Sequence, residues 1–306
     1  LKKLHREGVS FVSTGGTQKF IEEMAEARKQ GIEKLVGWGY QDNDKAFKLR
    51  MSNKLHPDIL AVGTSRVMQF REEWFADEYS FYNAGGCVFR LDEVRPFLER
   101  LTFTPKVVIL CLDQFFFKEV WGDGRTANYD FNNIILSNLS KVVSDFVTCK
   151  IGFETLIKDT LCIGMNAKMN QNGYRPDGSY YYGAIYAEPC KNSDTDFNQL
   201  LSIIDSGTDS RWDYCQVVNN QSLKTLANLI TYCQQNSILV LSYLPPFSPK
   251  VWNHMEELNE AGGIYGNIWR EWEISISICR NYMMKSLLYL LHIPKPFFSI
   301  IVMVEF

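Results

Sequence analysis

Four short runs place chemically capable residues at the ends of apolar stretches. Gly63-Thr64-Ser65-Arg66 closes the run 58–62, and Asn83-Ala84-Gly85-Gly86 closes 79–83. Asp113 stands directly after 106–112, and Pro245-Pro246-Phe247-Ser248-Pro249 follows 237–244. A serine hydroxyl attacks an acyl carbonyl once a base takes its proton, and backbone N–H donors can hold the resulting oxyanion. Arg66 could pair with a carboxylate or phosphate on a substrate. The structural alternatives are a helix-capping role for Ser65 and an ion pair between Arg66 and Asp113 or Glu72.

Those positions matter only if the runs are strands of one sheet. Residues 58–62 are almost uninterruptedly apolar, as in a strand buried on both faces of a parallel sheet. The pattern then changes at Gly63 to a polar-apolar mixture, which predicts strand, tight turn and helix. Residues 106–112 and 237–244 predict further buried strands. Asp92 is expected to cap a helix with Val94, Phe97, Leu98 and Leu101 on its apolar face, and Pro96 is tolerated in the first turn. Thr17 is expected to open a helix that stops at Gly31, within an N-terminal helical entry segment, 1–55. Alternating strand and helix predict an α/β fold with a parallel sheet and helices on both faces. In such sheets ligands bind beyond the carboxyl ends of the strands.

Residues 121–222 break this rhythm and are expected to form a large insertion within a single domain, 56–306. The insertion carries helices near 135–146 and after Asp196. Between them lies a loop region with a Pro176-Asp177-Gly178 turn and the tyrosines Tyr180 to Tyr182. Asn166, Arg175 and the tyrosines could form a sugar-binding rim, or an ordinary hairpin. His254 is placed on the helix that Ser248 and Pro249 open, beside Val251 and Met255.

A chain of 306 residues with 46% hydrophobic residues can bury a full core. Its net charge of -3 and scattered basic residues argue against nucleic acid as a partner. The 8 cysteines show no C-x-x-C spacing, so neither a zinc site nor a disulfide scaffold is expected. No metal or other cofactor is expected either. Residues 283–304 are apolar but interrupted by Lys285, His292 and Pro294-Lys295-Pro296, too soon for a membrane span. The chain opens on Leu1 and shows no export signal, and a fragment is the expectation at both ends.

The ordered set G-T-S-R, N-A-G, a strand-end Asp and P-P-F-S-P resembles the SGNH/GDSL hydrolase superfamily, in particular its divergent bacterial envelope-associated members. The likeness spans roughly 57–255. It implies a flavodoxin-like, three-layer α/β/α fold and a serine ester hydrolase or acyltransferase acting on an acylated carbohydrate or other small ester. By resemblance Ser65 matches the nucleophile, and Gly85 the residue whose N–H joins that of Ser65 in an oxyanion hole. Each such donor is worth about 3–4 kcal/mol. Asp113 falls at the third block and would orient Ser65 or Arg66, with Arg66, Asn83, Asn166 and Arg175 contacting substrate. Two positions depart from the pattern: Leu112 stands where the family has an Asn, and no His has an Asp three residues before it. The base would then come from outside these residues, or the protein is an inactive SGNH-like module that binds an envelope glycan or a protein. An envelope location follows from the resemblance, whereas unpatterned cysteines also suit a reducing cytosol.

Overall fold

The computed structural model describes residues 14–37, 44–118, 143–152, 161–164, 167–168, 171–183, 197–212, 219–243, 245, 247–259 and 301–304. The predicted helix around 135–146 falls largely outside them, as do Asp196 and most of 283–304. Among the described residues the strands are β1 Leu35–Val36, β2 Ile59–Gly63, β3 Phe81–Gly85, β4 Val107–Cys111, β5 Cys162–Ile163, β6 Gly173–Tyr174, β7 Tyr180–Tyr181, β8 Leu239–Tyr243 and β9 Ile301–Val304. The helices are α1 Thr14–Lys29, α2 Asp44–Leu55, α3 Val94–Glu99, α4 Asn198–Ser206, α5 Asn220–Gln235 and α6 Pro249–Asn259.

The main sheet has the order β3-β2-β4-β8-β9. Every pair is parallel except β8 with β9, which is antiparallel. Strands β2, β3 and β4 are buried at every position, as an apolar run without polar alternation requires. One face of the sheet, through Leu60, Val62, Tyr82, Leu110 and Val240, packs on Ile21 and Met24 of α1 and Phe47 and Met51 of α2. The same face takes Phe97 of α3 and Leu229 of α5. The other face, through Ile59, Ala61, Phe81 and Ile109, meets Val67, Phe70, Trp74 and Phe75 from the β2–β3 connection.

This division follows from handedness. The chain leaves β2 toward β3 on one side, then passes from β3 to β4 on the other, and right-handed crossovers in opposite directions cover opposite faces. Strand order therefore reverses between β2 and β4, which opens a crevice at their carboxyl ends.

Among the described residues α1, α2, α3 and α5 pack on one face of the main sheet. Other expectations need correcting. The helix expected after Gly63 is only a 3₁₀ turn, Ser65–Val67, followed by a second, Glu72–Trp74. Its carbonyls explain why: those of Val67 and Phe70 accept from the Asn83 side-chain amide at 2.8 and 2.9 Å, and that of Met68 accepts from the Tyr180 N–H. These tertiary bonds fix the turn in its 3₁₀ form, in which the Val67 carbonyl also accepts from the Phe70 N–H at 3.1 Å. Asp92 does not cap α3; it pairs with Arg90 at 2.7 Å, and a 3₁₀ turn, Leu91–Glu93, leads into the helix.

The segment 1–55 is no appendage, because α1 and α2 lie in the main core. Its strand β1 is also the centre of a second sheet, β5-β1-β6-β7, built with strands from the predicted insertion. Ser248 and Pro249 do open α6, with the Ser248 hydroxyl accepting from the Val251 N–H at 3.3 Å. Among the described residues no helix is long and apolar enough to cross a membrane.

Candidate functional site

Ser65 is exposed at the carboxyl end of β2, at the first position of the 3₁₀ turn. Thr64 immediately before it is buried. Its hydroxyl donates to Asp113 Oδ2 at 2.5 Å and accepts from the Arg66 N–H at 3.4 Å, so Thr64 is the turn's cap. Asp113, with no exposed surface, extends β4 on the other side of the crevice. The Cys111 thiol donates to the same Oδ2 at 3.8 Å, and the Arg66 Nε lies 3.2 Å from Oδ1. Burial raises the Asp113 carboxyl above its ordinary value, against the opposing effects of the Arg66 guanidinium and the Thr64 hydroxyl. Burial, reinforced by the charge of Asp113, also raises the Cys111 thiol, which keeps it a protonated donor.

Arg66 is the element that ties the strand ends together. Besides its ion pair with Asp113 it donates to Gln114 Oε1 at 3.3 Å. Its guanidinium lies 4.8 Å from the Phe247 ring centroid and 5.9 Å from that of Trp212. The Tyr243 hydroxyl donates to the Arg66 carbonyl at 3.3 Å. Side chains leaving β2, β4 and β8 thus converge on one guanidinium. The crevice pairs Arg66 with Asp113, one of the two structural alternatives; Glu72 instead pairs with Arg28.

Two residues assigned by resemblance have other employment. The Gly85 N–H donates to Asn83 Oδ1 at 2.8 Å in a buried position, so it is not a waiting oxyanion donor. A side chain at Gly85 would strike Val67, Asn83 and Met68 within 2.9 Å, which accounts for the glycine by packing. Asn83 has no exposed surface, and its amide is committed to Val67, Phe70 and Gly85 rather than turned to a ligand. Arg175 is engaged by residues other than those around Arg66, with Glu33 at 3.6 Å, Ser179 at 3.5 Å and the Tyr181 ring centroid at 4.8 Å. Asn166 lies outside the described residues.

His254 bonds Asp205 at 2.7 Å, joining α6 to α4, and His56 stacks on Phe103. Among the described residues no histidine bonds Ser65 or Asp113. Nor does any group of three or more His, Cys, Asp or Glu gather where a metal could bind. Thr64, Gln114, Tyr243 and Trp212 also belong to this site, though no motif in the sequence marks a role for them. For Thr64 and Gln114 a signal existed, since each adjoins a strand-end residue already singled out. Trp212 belongs to the predicted insertion, and nothing local connects it to residue 66.

No family model matches the chain, nor does any curated protein or solved structure.

Proposed function

We propose that the chain is an SGNH-like serine ester hydrolase or acyltransferase, with Ser65 as the nucleophile toward an acyl ester. The fuller form of the fold belongs to the same proposal: a three-layer, flavodoxin-like domain. The single observation that carries it is the exposed hydroxyl of Ser65 where the strand order reverses between β2 and β4. Among the described residues no hydrogen bond holds that hydroxyl, whereas its neighbour Thr64 is bound to Asp113. The N–H of Ser65, at the first position of its turn, is among those such a turn leaves unpaired and could meet a developing oxyanion. Asp113 acts through Thr64 and Arg66 to hold this turn.

Labelling by a fluorophosphonate probe tests the nucleophile. The wild-type chain is expected to be labelled and Ser65→Ala not. Equal labelling of the two, or none of either, would overturn the assignment.

A second reading is an inactive module of the same fold that binds an envelope glycan or a protein. It is favoured by the internal use of the Gly85 N–H and the Asn83 amide, which leaves Ser65 with a single candidate donor. Unlabelled wild-type protein that still binds a ligand at the crevice is its expected result.

A further inference from the structure

Gln114 poses a question that neither reading answers. It is 4% exposed, and its amide nitrogen has no hydrogen-bond partner among the described residues. The orientation of the amide is dictated chemically. Arg66 has only donors, so Gln114 must turn its oxygen to it, and the NH₂ group is thereby directed elsewhere. A buried donor without an acceptor carries a standing cost that an oxygen brought by a ligand would relieve.

The same ligand oxygen would find Arg66 beside it. Asp113 lies at the Nε edge and Gln114 accepts from Nη1, while the ring centroids of Phe247 and Trp212 lie 4.8 and 5.9 Å from the guanidinium. Asp113 is also shared, since Arg211 lies within its electrostatic reach. Donors and positive charge thus stand together, beside the Asp113 carboxylate whose Oδ1 has no hydrogen-bond partner among the described residues, at one end of a crevice that also presents the exposed Ser65 hydroxyl.

We propose that Arg66 and Gln114 form a recognition subsite, next to Ser65, for an anionic oxygen on a carboxylate or phosphate group of the ligand. This rests on the reading of the crevice as a ligand site, though not on acylation of Ser65. It narrows the substrate from any small ester to one bearing an acidic group.

The test is an NMR titration of the ¹⁵N-labelled full chain, following the Gln114 side-chain amide and Arg66 Nε–H signals. Inorganic phosphate and acetate are added separately, against potassium chloride at matched ionic strength. At least one anion is expected to shift both signals saturably, and the stronger of the two identifies the group. Gln114→Glu keeps an oxygen for Arg66 but replaces the free donor with a negative oxygen. It should weaken binding about tenfold or more, as loss of a hydrogen bond to a charged group does. Gln114→Leu carries the comparison if the glutamate variant fails to fold. No saturable shift with either anion, or unchanged affinity in the folded variant, overturns the subsite. A labelled serine without an anion shift sinks this inference alone, and an anion shift without labelling sinks the nucleophile alone.

Discussion

Three groups divide the two oxygens of Asp113: the Thr64 hydroxyl and the Cys111 thiol on one, the Arg66 guanidinium on the other. A carboxylate with no exposed surface depends on each of them. Thr64→Val keeps the shape and removes the short hydroxyl bond. It should cost about 1–3 kcal/mol, read as a lower urea midpoint at unchanged slope, with Thr64→Ser avoiding most of that loss. The pH dependence has a definite sign. Burial raises the Asp113 carboxyl above 3.8, so the native state binds this proton more tightly than the unfolded chain does. Its contribution to stability is then greatest below that value and declines as pH rises through the folded one. Asp113→Asn lacks this decline, so its stability relative to wild type should improve as pH increases across that window. Urea titrations at a series of pH values would show it, and a change in the opposite direction would mean that Arg66 outweighs burial.

At the scale of elements, the β6–β7 hairpin is fastened to β3 by backbone rather than by apolar packing alone. The Asn83 N–H donates to the Asp177 carbonyl at 2.7 Å, and Asp177 Oδ2 accepts from Arg71 Nε and the Glu72 N–H, both at 3.2 Å. Lys48, without exposed surface, donates to the carbonyls of Asn83 and Gly178 and lies 3.8 Å from the Tyr174 ring centroid. Gly178 makes this approach possible. It has φ +80, and a Cβ there would stand 2.2 Å from the Asn83 carbonyl oxygen. Gly178→Ala should therefore displace the hairpin, at a cost of about 2–4 kcal/mol, and the Asn83 amide should lose its hydrogen-exchange protection. If that protection survives, the docking does not depend on the glycine. The hairpin itself was legible in Pro176-Asp177-Gly178, and so were β2, β4, β8 and α6, because local apolar runs and turn residues specify them. The truncated turn after Gly63 was not, since it is set by an amide on β3 and an N–H on β7. The same distance in sequence hid the ring of Trp212 against Arg66, and the true duties of Asn83 and Gly85.

For the molecule as a whole, the consequence concerns where a folding unit can begin. The sequence suggests a boundary near residue 55, but the main core crosses it: Ile21 and Met24 of α1, and Phe47 and Met51 of α2, pack with Leu60, Tyr82 and Val108 of the sheet. Each of those four helix side chains is no more than 2% exposed, and burying one is worth about 1.5–3 kcal/mol. Their sum, roughly 6–12 kcal/mol, is comparable with the entire stability of a typical domain. Residues before 55 also supply β1, which holds β5 on one side and β6 on the other. Removing 1–55 would thus uncover one face of β2 and β3 and dissolve the small sheet that positions the Asp177 hairpin. The expected product is a chain with helical far-ultraviolet signal but no near-ultraviolet signature of fixed aromatic packing and no sharp urea transition. A truncated 56–306 chain that unfolds cooperatively, with the wild-type near-ultraviolet spectrum, would show instead that the boundary is real and that α1 and α2 are additions to a core complete without them.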